Sequence, residues 1–169
     1  MALIRLVYAS HASFPAENGT IDPRIGRILT QSRSNNARKA IGGVLYYGDG
    51  FFFQCLEGEA ASVDALYERI AQDDRHHNAV ILSREPVSKR LFSQWSMKYV
   101  PAERSVRAFL RVQGQPSFNP FVLDAAQLEQ LLQLFRGARG DEQAPVPAVA
   151  PSQGWFNRLK QKLGWTKAA

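Results

Sequence analysis

The chain alternates apolar runs of period two with stretches whose apolar residues recur every three to four positions, and this alternation sets out its elements. "LIRLVYAS" (3–10) predicts a first strand with Ile4, Leu6, Tyr8 and Ser10 on one face. "IDPRIGRILTQSRSNN" predicts a helix with Asp22 as its cap, Pro23 at its first position, and Ile25, Ile28, Leu29 and Ser32 inward. Asn35 and Asn36 suit its C-terminal cap or a turn. "AIGGVLYY", "GDG" and "FFFQCLEG" predict two strands joined by an Asp-Gly hairpin turn. "ASVDALYERIAQDDRHH" predicts a second helix, with Val63, Leu66 and Ile70 inward and Ser62 as cap; "AVILS" and "WSMKYV" complete the strands. The order βαββαββ, with one hairpin and two helical crossovers, implies an α+β sandwich of the ferredoxin-like type.

Both faces of such a sheet are apolar here, so both need cover. The two helices serve one face; Phe51 and Phe53 point to the other. "NPFVLDAAQLEQLLQLF", opened by Asn119 and Pro120, predicts an amphipathic helix that covers it, within a C-terminal helical extension over residues 101–138. Gly42 and Gly43 weaken a strand unless another backbone or a ligand comes close, which hints at tight packing there. A Pro- and Ala-rich linker (139–154) follows, and "WFNRLKQKLGW" in the last segment (155–169) sets Trp155, Phe156, Leu159 and Leu163 against basic residues. That pattern suits a helix bound to a membrane surface or a partner, or one docked on its own domain or a dimer mate.

Charge changes the picture less than its total suggests. The net charge is +6, yet every acidic residue lies before position 143, and Arg158, Lys160, Lys162 and Lys167 sit in the tail. Residues 1–150 therefore carry 17 basic against 15 acidic groups, or +2. A nucleic-acid reading draws little from this. The single cysteine, Cys55, excludes an intramolecular disulfide framework and a multi-cysteine metal site, and suits a reducing cytoplasm. No signal-peptide pattern and no 18-residue apolar stretch occurs, so a soluble cytoplasmic protein is expected.

Candidate chemistry begins with Gln54, a primary amide in an apolar strand. A buried carboxamide has two donors and two acceptor lone pairs to satisfy, and leaving one unmet costs about 1–3 kcal/mol. Tyr8, Ser10, Asn35, Asn36 and Gln54 form a neutral set on the inner surface. A phenol and carboxamides together recognise a ring edge with alternating donors and acceptors, such as a uracil-like or flavin-like ring. Hydrolysis is poorly served: no acidic pair, His-Asp couple or nucleophile with a placed base is visible, so no enzymatic activity is expected. "DDRHH" (73–77) reads as a solvated helix terminus, though Arg75 and His76 could hold a phosphate.

"LVYAS", "SRSNNAR", "IGGVLYY", "FFFQCLEG", "RIAQDDRH" and "KRLFSQWSMKY", in this order, resemble the BLUF family of flavin-using blue-light photoreceptors over residues 1–100. The resemblance implies a flavin between the two helices, FAD first, with FMN or riboflavin as alternatives. It implies Ile28 and Ile70 flanking the ring, Asn36 on its polar edge, and Asn35, Arg75 and His76 along the ring, ribityl chain or phosphate. Tyr8 would be the electron and proton donor and Gln54 the hydrogen-bond switch beside the flavin N5/O4 edge, with a small reversible red shift after light. Trp95 and Met97 would relay the change to a partner protein, identity unknown, from a homo-oligomer of a short stand-alone type. A ferredoxin-like RNA-binding module is the alternative, but "DGFFFQCLEG" lacks the basic residue of that signature, and it requires Phe51 and Phe53 to be exposed for stacking. A flavin oxidoreductase lacks a nicotinamide fingerprint.

Overall fold

The computed structural model describes residues 2–14, 22–101 and 103–138. The linker and basic tail expected over residues 139–169 lie outside these residues.

The first strand, β1 (Leu3–Ala12), runs antiparallel between β3 (Phe51–Glu59) and β4 (His76–Pro86). β2 (Gly42–Gly48) pairs antiparallel with β3, and the two-residue β5 (Lys98–Tyr99) pairs parallel with β2, so the sheet order is β4-β1-β3-β2-β5. The β2–β3 turn holds Asp49 at φ 50° and Gly50 at φ 81°. Two successive left-handed residues give the twist that a two-residue hairpin needs. Helices α1 (Pro23–Arg38) and α2 (Ala60–Ala71) are the crossovers, giving the ferredoxin-like βαββαββ order.

The alternation in β1 and β3 sorts the core into two layers. Ile4, Leu6, Tyr8, Phe52 and Leu56 pack with Ile25, Leu29, Val63 and Leu66 under α1 and α2. Val7, Phe53 and Cys55 pack on the other side with Leu128, Leu131, Leu132 and Phe135 of α4 (Ala125–Gly137) and with Val106 and Leu110 of α3 (Glu103–Val112). Cys55 is fully buried there, and burial pushes its thiol pKa well up.

Several local expectations change. Helix α1 runs through Asn35 and Asn36 to Arg38, because Asn36 is buried on the helix's inner side rather than turning the chain. Glu59, not Ser62, caps α2: its carboxylate accepts from the Ser62 amide at 3.0 Å. The "DDRHH" segment does not end a helix; α2 stops at Ala71 and β4 starts at His76. The last amphipathic stretch divides into a short 3-10 turn (Pro120–Val122), opened by Asn119, and α4, opened by Asp124. Asp124 and Gln127 form a reciprocal capping box. Helix α3 falls within the helical extension expected over residues 101–138, although no separate helix is expected before Asn119. A Cβ on Gly42 would stand 2.7 Å from the Phe92 carbonyl oxygen, so the close backbone inferred from Gly42 and Gly43 is the 92–95 segment crossing over β2.

Candidate functional site

Adjacent strands carry the two central groups. Tyr8 and Gln54 face each other across the β1–β3 register, and the Tyr8 hydroxyl donates to Gln54 Oε1. Register shifts in the β1–β4 pairing at Val7/Tyr8 and Ala9/His11 bracket Tyr8, the kind of irregularity that re-aims a side chain. Tyr8 is 3% exposed and Gln54 is 3% exposed. Burial pushes the phenol pKa far up, with Tyr67 and Asp73 adding to it, so Tyr8 stays protonated at neutral pH.

The second half of the Gln54 amide turns toward β5: Nε2 lies 3.2 Å from Met97 Sδ. A thioether sulfur accepts only weakly, so this is the amide's poorer contact. Met97, buried in the α1/α2 layer, therefore takes the place beside Gln54. Trp95 packs against the α3/α4 layer instead, with Lys98 Nζ 4.4 Å from its ring centroid.

Above this pair, between α1 and α2, lies a cleft of about 740 Å³ including the space open to solvent. It is lined by Ile28, Asn35 and Asn36 from α1, Ile70 from α2, and Arg75 and His76 after it, with Tyr8 and Gln54 at its floor. All the binding residues named from sequence thus share one cleft. Gln31, Ser32, Arg69 and Asp73 also line it. Gln31 lies three residues after Ile28 and Arg69 one residue before Ile70, positions that the apolar stripe alone does not single out.

Its polar groups are oriented from behind. Asn36 Nδ2 donates to the Ser96 carbonyl at 2.9 Å, which leaves Oδ1 buried without a hydrogen-bond partner. His76 Nδ1 is buried and unpartnered too, and desolvation lowers the His76 pKa, keeping the ring neutral. Arg75 is gripped by Asp73 and reaches Gln31 at 3.1 Å; its hydrogen bond holds the Asp73 carboxyl below the usual range. Asn35 differs: Oδ1 accepts from Arg38 at 2.6 Å near the surface. Buried amide and imidazole atoms without partners, between two isoleucines and above a phenol–amide pair, fit a planar heteroaromatic ligand with donors and acceptors on its edge. A flavin has that edge.

The RNA-binding alternative loses its platform. Phe53 is 0% exposed, held edge-on against Phe118 and Phe135, and offers no face for a base.

Comparison with known proteins gives the same answer. Photoactivated adenylate cyclase subunit beta of Euglena gracilis is 33% identical over 97 residues, which cover 57% of this chain and 11% of that protein. This chain thus spans about a tenth of the length of such curated relatives. Among solved structures, BlsA in its photo-activated state matches with TM-score 0.76 and 36% identity over 83% of this chain and 99% of that one. The dark-state BLUF protein BlrB matches with TM-score 0.65 and 28% identity over 80% and 96%. The family described as sensors of blue-light using FAD matches residues 3–98, more than half of the chain, and the chain belongs to this BLUF family.

Proposed function

We propose that this chain senses blue light through FAD held non-covalently in the α1/α2 cleft, and passes the signal to a partner protein by rearranging the Tyr8–Gln54–Met97 hydrogen bonds. The Tyr8 to Gln54 hydrogen bond at the floor of that cleft is the observation that carries the reading. Ile28 and Ile70 would sandwich the ring, Asn36 Oδ1 and Gln54 would meet its polar edge, and Arg75 and His76 would face the ribityl phosphate end. When bound, the flavin supplies a chromophore that absorbs blue light and accepts an electron and a proton on excitation.

The chain's own residues do the rest. Tyr8 is buried, neutral and hydrogen-bonded, so its proton becomes labile only with loss of an electron, and Gln54 Oε1 is the acceptor beside it. Rotation of the Gln54 carboxamide exchanges Oε1 and Nε2. The atom facing Met97 then changes from a donor to an acceptor, which a sulfur cannot satisfy. Met97 must shift, and β5 carries the change outward. A single exchanged hydrogen bond is worth about 0.5–1.5 kcal/mol, sufficient to bias a switch and small enough to reverse in darkness.

Effector activity belongs to the partner in this reading, the chain itself working as sensor rather than enzyme. The cyclase relative, in which the matching region is a small fraction of the whole, supports that division. Cytoplasmic placement is supported by the single buried cysteine; among the described residues, no helix is long and apolar enough to cross a membrane. Self-association and membrane contact by residues 155–169 belong to the proposal. Removing residues 152–169 should leave the photocycle intact and change light-scattering mass or vesicle binding.

The decisive experiment is an absorption spectrum of the purified protein in darkness and after blue light, with the released cofactor identified by chromatography. A flavin spectrum with a small reversible red shift supports the reading. No flavin after reconstitution overturns it, and FMN or riboflavin in place of FAD corrects the cofactor.

A further inference from the structure

A second concave surface lies on the far side of the sheet from the flavin cleft. It is a groove between the β4–β5 connection and the last turn of α4, lined by Lys89, Arg90, Leu91, Trp95 and Arg136, with Ser93 and Gln94. Three cations and an indole share it, and among the described residues no acidic side chain lines it. Lys89 and Arg136 are exposed, while Trp95 and Leu91 are half-buried.

Both walls are fastened. The carboxylate of Glu57, fully buried on β3, accepts from the Leu91 and Phe92 amides at 3.0 and 2.9 Å and from Arg5 at 2.8 Å. This fixes the start of the groove to the centre of the sheet. Its other end leads to the cleft: Ser96 and Met97 carbonyls accept from Asn36 at 2.9 Å and Arg33 at 3.1 Å. The α4 wall is held by Lys98, whose buried ammonium donates to the carbonyls of Phe135, Arg136 and Ala138 at 3.0, 3.2 and 2.6 Å. Met97 immediately precedes β5 and packs in the α1/α2 layer, whereas Lys98, the first residue of β5, reaches the carbonyls of α4 on the other side of the sheet. Displacement of Met97 on the flavin side therefore moves Lys98, the Trp95 ring above it and the α4 carbonyls together.

We infer that this groove is a docking surface for an acidic segment of a partner protein, and that its shape is set by the Met97–Lys98 step. Charge complementarity selects the occupant: an acidic peptide with one apolar residue would pair with Arg90 and Arg136 and seat that residue on Trp95 and Leu91. The groove offers one indole and not a row of aromatic rings on which successive bases would stack, which favours peptide over nucleic acid. The light dependence rests on the photosensor reading above; the groove itself does not.

The test uses the full-length flavin-loaded protein and a fluorescein-labelled twelve-residue peptide of Glu with one central Leu, in darkness and under blue light. Binding should fall at least fivefold in the Arg90→Glu/Arg136→Glu variant, with the flavin red shift unchanged. Affinity should differ at least threefold between dark and lit wild type, and Lys98→Met should erase that difference while Lys98→Arg keeps it. Equal binding by the charge-reversed variant overturns the groove. Tighter binding of an oligouridylate through the same two arginines overturns the peptide in favour of nucleic acid. Stronger peptide binding only after Asp141→Asn and Glu142→Gln would mean that the chain's own acidic pair is the occupant, which also overturns it. A wild type without a red shift refutes the photosensor reading, and the dark-state charge-reversal result still decides the groove.

Discussion

The two faces of the sheet are built from the same strands and solve opposite problems. On the α3/α4 side, Val7, Phe53 and Cys55 meet Phe118, Leu131 and Phe135 in a layer whose aromatic rings pack edge to face. On the α1/α2 side, Tyr8, Gln54 and Asn36 interrupt the apolar rows, and a cleft stays open above them. One face spends its side chains on burial; the other accepts polar atoms without partners. The contrast teaches that the site is made by withholding packing from one layer while the other holds the strands in register.

That contrast can be broken at the polar face with the largest effect on function. Tyr8→Phe or Gln54→Leu should retain flavin and abolish the light-induced red shift, read by difference absorption; a normal shift in either protein refutes the switch. Breaking the packed face should act on stability instead. Phe53→Ala removes a fully buried ring and should cost about 3–5 kcal/mol in urea unfolding, while molecules that remain folded keep their red shift.

Smaller changes sharpen the difference. Asn36→Ala deletes the tie to Ser96 and one buried acceptor, and should weaken flavin binding by about 1–3 kcal/mol in a fluorescence titration, with unfolding of the apoprotein less affected. Smallest is the effect of pH through His76. Desolvation lowers its pKa in the folded protein, so the unfolded chain binds the proton more tightly. Stability from this group is complete above the unfolded value of about 6.5 and declines as pH falls below it. Thermal unfolding of wild type should show that decline, and His76→Gln should reduce it.

Legibility in the sequence followed the same division. Alternation in "LIRLVYAS" and "FFFQCLEG" put Ile4, Leu6 and Tyr8 on one layer and Phe51 and Phe53 on the other, where they are found, because a pleated strand turns successive side chains to opposite faces. The residues of the cleft were legible from polar side chains in apolar rows together with the BLUF resemblance. Asn36 misled as a helix terminator, since its propensity for turns is a local preference and burial against the 96–97 backbone overrides it. Helix α3 was hidden by its charge: only Val106 and Leu110 are fully buried, with Phe109 half-buried against the same layer, and Glu103 and Arg107 pair on the surface. Glu57 and Lys98 were passed over because a charged residue in a strand reads as solvent-facing by default. Their partners are backbone amides and carbonyls of segments more than 30 residues away, which no local pattern announces.

Cys55 gives the molecule a clock. It is the single cysteine of the chain, it sits at the centre of the sheet, and it is sealed beneath the α3/α4 layer. A thiol reagent can reach it only when that layer lifts or the sheet opens, so its labelling rate in native buffer counts opening events. Measured in darkness and under illumination, the same rate tells whether a signal born on one side of the sheet loosens the other.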